Sequence, residues 1–119
     1  MAVAGVSVKV LSWEGVLSVE RANEVRSELL AAFGQASQVV VSVSLLDSVD
    51  LAIIQLLVAA WLEARKTGKA FHLGGTVRPE FLRALRVSGF VRTFSENVHD
   101  IEAELFVPPV KKSGSAERW

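Results

Sequence analysis

From Ser7 to Trp13 the chain alternates, with Val8, Val10 and Ser12 on one face and Lys9, Leu11 and Trp13 on the other. This period of two predicts a strand, and Glu14-Gly15 predicts a tight turn into a second short strand at Val16-Leu17. Ser18 then stands as an N-cap, with Glu20 favourable in the first turn beyond it. Val19, Ala22, Val25, Leu29, Leu30 and Phe33 recur at helical spacing, and Gly34 is the expected stop.

Val39 to Val43 reads as a buried strand, β-branched and free of charge. A loop from Ser44 to Val49 leads to Asp50 and an apolar helix, Leu51 to Ala64, in which only Gln55 and Glu63 are polar. That helix ends near Thr67-Gly68-Lys69, and Ala70 to Leu73 forms the next strand. Gly74-Gly75-Thr76 breaks the strand, and Pro79 suits the first turn of a helix through Val87 that turns Phe81, Leu82 and Leu85 inward. Ser88-Gly89 stops it. Phe90 to Phe94 is irregular or a short strand, and Asn97 caps a last helix from Val98 to Leu105.

The expected order is therefore β-β-α-β-α-β-α-α. Strands alternating with helices imply an α/β fold, a four- to five-stranded mixed sheet with parallel neighbours and helices mainly on one face. Residues 1–106 form one domain, and Pro108-Pro109 opens a tail (107–119) expected to be disordered.

Composition narrows the function more than the fold. With 13 Lys plus Arg against 13 Asp plus Glu, the chain lacks the basic excess of a nucleic-acid binder. It contains no cysteine, which removes disulfides, thiolate metal sites and cysteine nucleophiles. Half of the residues are hydrophobic, so a packed core is expected. The N-terminus has no positively charged region before an apolar core and does not read as a secretory signal. The apolar helix is also short: 14 residues from Leu51 to Ala64 span about 21 Å, against a hydrocarbon core of about 30 Å. No membrane insertion is expected, and the cytoplasm is the expected location.

The familiar catalytic motifs are missing: no phosphate-binding Gly-x-x-x-x-Gly-Lys-[Ser/Thr], no Gly-x-Ser-x-Gly, no His-Glu-x-x-His. His72 falls in a strand and reads as structural or solvent-facing, and His99 reads as part of an exposed helix face near Asp100 and Glu102. Gly74 and Gly75 precede a helix, and with Arg78 they form a candidate anion site, although the same glycines serve simply to turn the chain. Asp50 at a helix N-terminus reads as a stabilising cap. Neither catalysis nor a cofactor is implied.

Leu51 to Ala64 is the stronger signal. A helix apolar nearly all round is either deep in the domain or covered by a partner, and Leu57 and Trp61 are the residues expected at such a contact.

The order of elements, the buried strand Val39 to Val43 and the run Asp50-Leu51-Ala52-Ile53-Ile54-Gln55-Leu56-Leu57 together resemble the STAS domains of sulfate transporters and anti-sigma factor antagonists. Lys66 to Leu73 is similar to the family's Gly-Lys turn into a strand, and Leu85-Arg86-Val87-Ser88-Gly89-Phe90 to its Leu-x-x-x-Gly-Leu helix end. The resemblance implies a non-enzymatic module that binds a protein. In the anti-sigma branch it also implies a Ser or Thr, at the start of the second long helix, that a kinase phosphorylates to switch the docking surface. Here the departure is sharp. Where family members read Asp-Ser-Ser-Gly or Asp-Thr-Ala-Gly, this chain has Asp50-Leu51-Ala52-Ile53, and Ser42 replaces the Asp that commonly ends the preceding strand. A register shifted by three would place Asp47-Ser48-Val49-Asp50 there, with Ser48 as the phosphosite, but it loses the match at Leu56-Leu57.

The resemblance thus points to Asp47, Ser48, Asp50, Leu51, Ala52 and Gln55 as partner-binding residues. The partner is expected to be an anti-sigma kinase or a chemotaxis or signalling component. Alternatives are the STAS subunit of a lipid-asymmetry ABC transporter, docking on its ATPase, and a nucleotide or lipid-headgroup module using Gly74, Gly75 and Arg78. Pairing into a homodimer stays open.

Overall fold

A computed structural model describes residues 7–107. Three parallel strands, β1 (Val8–Leu17), β2 (Gln38–Val49) and β3 (Ala70–Gly74), pair in the order β1-β2-β3. Helices α1 (Ala22–Gln35) and α2 (Leu51–Lys66) are the two crossovers, and α3 (Pro79–Val87) and α4 (Val98–Leu105) follow the last strand. The tail expected over 107–119 lies, from Pro108 on, outside the described residues.

Register explains where the core sits. Val41 lies between Leu11 and Leu73, and Val39 between Lys9 and Phe71, so these residues share one face of the sheet. On that face Val39, Val41, Val43, Phe71 and Leu73 are all buried, and Val25 and Leu29 of α1 and Ile53, Ile54 and Leu57 of α2 complete the cluster. The opposite face carries Val10, Val40 and His72 in one row, and there Val10 stays 59% exposed. Phe106, just past α4, stacks on Trp61 of α2 with ring centroids 5.6 Å apart and tilts against Phe71 at 5.7 Å. Beside it the carboxylate of Glu102 in α4 accepts the Leu73 N–H at 2.6 Å, covering part of the β3 edge.

Among the described residues the sheet has three strands, not the four or five expected. Glu14-Gly15 makes no hairpin: Gly15, at φ +75°, sits beside a bulge and β1 continues through it. Phe90 to Phe94 forms no strand, because side chains satisfy its backbone. The Arg92 and Thr93 N–H groups donate to Glu104, and their carbonyls accept from Arg86. The expected loop from Ser44 to Val49 belongs to β2, where extra residues opposite β1 disturb the alternation that marks a strand. Nor does Gly34 stop α1, which runs one residue further to Gln35, with Lys69 Nζ donating to the Phe33 carbonyl. The later elements match closely: α3 spans Pro79–Val87, and α4 spans Val98–Leu105, with Asn97 Oδ1 accepting the His99 N–H at 2.8 Å.

Candidate functional site

The carboxyl ends of β2 and β3 meet the starts of α2 and α3, the usual place for a site in a parallel α/β sheet. Asp47 is unpaired in the β1–β2 register: Gly15 pairs with Leu46 and Val16 with Ser48, which leaves Asp47 as the bulged residue. A bulge re-aims its side chain, and Asp47 meets Arg78, the residue before α3, in an ion pair of 2.5 Å. Both side chains are 40% exposed or more, so the pair orients the loop more than it stabilises the fold.

Asp50 ends the strand and begins the helix. Its N–H donates to the Leu17 carbonyl at 3.0 Å, and its own carbonyl accepts from Ile53 and Ile54 in the first turn of α2. Its carboxylate, however, makes no cap on α2. It accepts the N–H of Val19 at 2.8 Å, where a single 3₁₀ turn (Val19–Arg21) leads into α1. The cap expected on its own helix is thus spent on another one. Ser18, the expected N-cap of that segment, donates its hydroxyl to Glu20 instead.

Ser48, Val49, Asp50 and Leu51 form one wall of a groove of about 560 Å³ whose other wall is α3, from Glu80 through Arg83 and Ala84 to Val87 and Ser88. Leu51 is 51% exposed and Val87 79%. Ala52 is half-buried, and Gln55 lies exposed one turn further along α2. Gly75 adopts φ +90°, and a Cβ there would fall 2.2 Å from Ser44 Oγ. The same hydroxyl accepts the Thr76 N–H at 3.0 Å. Gly74, Gly75 and Arg78 therefore share this end of the sheet with Asp47 and Ser48. Arg78 Nη1 is engaged with Asp47, and the Thr76 amide with Ser44.

The outer face of α3 was not among the expected contact residues. Its sequence carried a signal: Val87 is apolar yet out of phase with Phe81, Leu82 and Leu85, the buried stripe. Leu57, expected at the contact, is core at 1% exposure, and Trp61 is half-buried under Phe106. The reason is phase. Leu51, Gln55, Ala59 and Glu63 fall four apart on the exposed side of α2, so beyond Leu51 at its start only small and polar residues of that stripe meet the solvent. Among the described residues, no helix is long and apolar enough to cross a membrane.

A family model described as "Mlab, STAS domain" matches residues 2–96, most of the chain. The chain belongs to the STAS family. No curated protein matches it. STAS domains are generally non-enzymatic and mediate protein interactions. The matched span holds all three strands, α1, α2 and α3, and therefore both walls of the groove. It stops short of α4, which begins at Val98.

Proposed function

We propose that this STAS domain is a non-catalytic cytoplasmic docking module that binds another protein through the groove between the start of α2 and α3. Leu51 carries the reading. It is the first residue of α2, half exposed, and it lines a groove whose far wall includes the still more exposed Val87. Exposed apolar side chains gathered at one place favour a contact surface over a solvated one. Asp47, Ser48 and Asp50 supply a polar border to that surface, and Ala52 and Gln55 extend it along α2.

No hydroxyl stands at 51 or 52, so the surface is not switched by phosphorylation at the position the family uses. Ser48 is the fallback acceptor. A phosphate there would stand between Asp47 and Asp50 and add like charge to the groove. On this reading the partner is an anti-sigma kinase or another component of a partner-switching system. A second reading is the STAS subunit of a lipid-asymmetry ABC transporter, docked on its ATPase through the same groove. Anion binding at Gly74, Gly75 and Arg78 is less favoured, because Arg78 and the Thr76 amide already have partners.

Affinity capture from the native lysate, with the wild type beside Leu51→Asp, tests the proposal. Mass spectrometry should return a kinase or an ABC ATPase with the wild type, and the variant should lose it while its circular dichroism stays unchanged. Equal capture by both proteins refutes the groove as the docking surface. A melting temperature raised by nucleotide with no captured protein transfers the case to the anion reading.

A further inference from the structure

Strand β1 is an edge of the sheet, and among the described residues nothing pairs with its outer side. The Ser7 carbonyl accepts from the Gln38 N–H and the Leu17 carbonyl from the Asp50 N–H, so the odd-numbered residues aim their main-chain groups at β2. By alternation Val8, Val10, Ser12 and Glu14 aim theirs at the free edge. An edge in this state is a template for another strand. This one has no proline, and Val8 and Val10 are 56% and 59% exposed. Gly15, at φ +75°, ends the regular stretch.

The charges on the helix-covered face name the occupant. Lys9 belongs to that face, in register with Val39. Trp13 shares it and is buried, and its indole N–H donates to the Glu28 carboxylate of α1 at 2.7 Å. Among the described residues neither Lys9 nor Glu28 has an oppositely charged partner.

We propose that two copies of this chain pair antiparallel through their β1 edges, about a two-fold axis at Leu11, into one continuous sheet. Val8 then stands opposite the partner's Glu14 and Val10 opposite the partner's Ser12. The main-chain groups of these residues all face the edge, so each pair exchanges both of its hydrogen bonds. Leu11 meets the partner's Leu11. Lys9 stands opposite the partner's Trp13, beside the carboxylate to which that indole is bonded. A lone cation and a lone anion thus meet twice, once on each side of the axis. Neighbouring registers do not achieve this. With the axis at Val10 the two Lys9 side chains become diagonal neighbours on one face, and with the axis at Ser12 the ladder runs across Gly15 in both copies. No residue of β1 lines the docking groove, so this inference stands or falls apart from the proposed function.

The chain has no cysteine, so single cysteines test the pairing in the full-length protein. An antiparallel pair without hydrogen bonds sets its Cα atoms about 4.5 Å apart, within the range that a disulfide spans. Leu11→Cys should therefore give a disulfide-linked dimer on mild oxidation, and Ser12→Cys, one position off the axis, several-fold less. Sedimentation velocity of the wild type should show a monomer–dimer equilibrium. Lys9→Glu, at an exposed site, should weaken it by about tenfold, because two attractions become two repulsions. In hydrogen exchange of the wild type, the Val8, Val10, Ser12 and Glu14 amides should gain protection as the protein concentration rises, while those of Lys9 and Leu11 stay as they are. A wild type that remains monomeric into the millimolar range overturns the proposal. So do edge amides protected equally at every concentration, since the chain itself would then cover the edge. Equal cross-linking at positions 11 and 12, or a dimer indifferent to Lys9→Glu, also overturns it, because the copies would then meet elsewhere or in another register.

Discussion

The carboxylate of Asp50 accepts the main-chain N–H of Val19 at 2.8 Å, so the residue that begins α2 caps the segment leading into α1. Two stretches 31 residues apart are thereby locked at one corner, where the Asp50 N–H also donates to Leu17. That corner holds Leu51 in position at the groove.

Removing the carboxylate should cost what losing a cap costs. Asp50→Ala is expected to destabilise the domain by about 0.5–2 kcal/mol, toward the lower end because the bond is exposed. Asp50→Asn keeps an acceptor for the Val19 N–H and should cost less than Asp50→Ala. Urea unfolding of the variants beside the wild type measures the difference. Equal stability of all would show that the bond contributes nothing.

Glu102 holds the sheet edge in the same manner. Its Oε2 accepts the Leu73 N–H at 2.6 Å, and the side chain is only 15% exposed. Glu102→Ala leaves that donor without its partner and should cost about 1–3 kcal/mol. Hydrogen exchange of the Leu73 amide should accelerate, while exchange at Val41, central in the sheet, should change only as far as global stability does. Glu102→Gln retains an oxygen acceptor and should fall between.

Much of the fold was legible in the sequence because its signals were local. Pro79 at a helix start, Asn97 as a cap and the phase of Phe81, Leu82 and Leu85 each fix an element without help from the rest of the chain. The misread stretches depend on distant partners. Glu14-Gly15 carries a turn signature, yet pairing with β2 draws it into a continuous strand. Phe90 to Phe94, open between an irregular stretch and a short strand, is irregular because Arg86 and Glu104 occupy the backbone groups that a neighbouring strand would need. At the site, the sequence pointed to the end of β2 and the start of α2. It did not reveal the α3 wall, because only the tertiary fold brings Arg83 and Val87 opposite Leu51. Nor did it reveal which helix Asp50 caps, since the acceptor and the amide are far apart along the chain.

Acid should loosen the turn after α3. The Arg92 N–H and then the Thr93 N–H donate to Glu104 and hold its carboxyl below the usual glutamate value. A carboxyl with a lower value in the folded state favours folding when ionised. Its contribution is therefore complete above the unfolded value, about 4.3, and is lost as the pH falls through the folded one. Wild-type stability should accordingly drop more steeply than that of Glu104→Gln on acidification through that window. Carbon-detected NMR of the Glu104 carboxyl checks the direction directly, and a midpoint at or above the usual value would contradict it.

Gly75 is the position where a single methyl group should do most harm to the site. Its φ of +90° is strained for any other residue, and an added Cβ would fall 2.2 Å from Ser44 Oγ and 3.2 Å from Ser42 Oγ. Gly75→Ala should therefore cost both backbone strain, about 1–3 kcal/mol, and the displacement of a hydroxyl that now accepts the Thr76 N–H. Combining it with Ser44→Ala removes the nearest clashing atom but leaves the strain and takes away the Thr76 acceptor. The pair should consequently be non-additive, with the double variant less destabilised than the sum of the single ones. Thermal unfolding of the two single variants and the double measures the coupling. Strict additivity would mean that Ser44 moves aside at no cost, and that contact with Ser44 is not what demands glycine at 75.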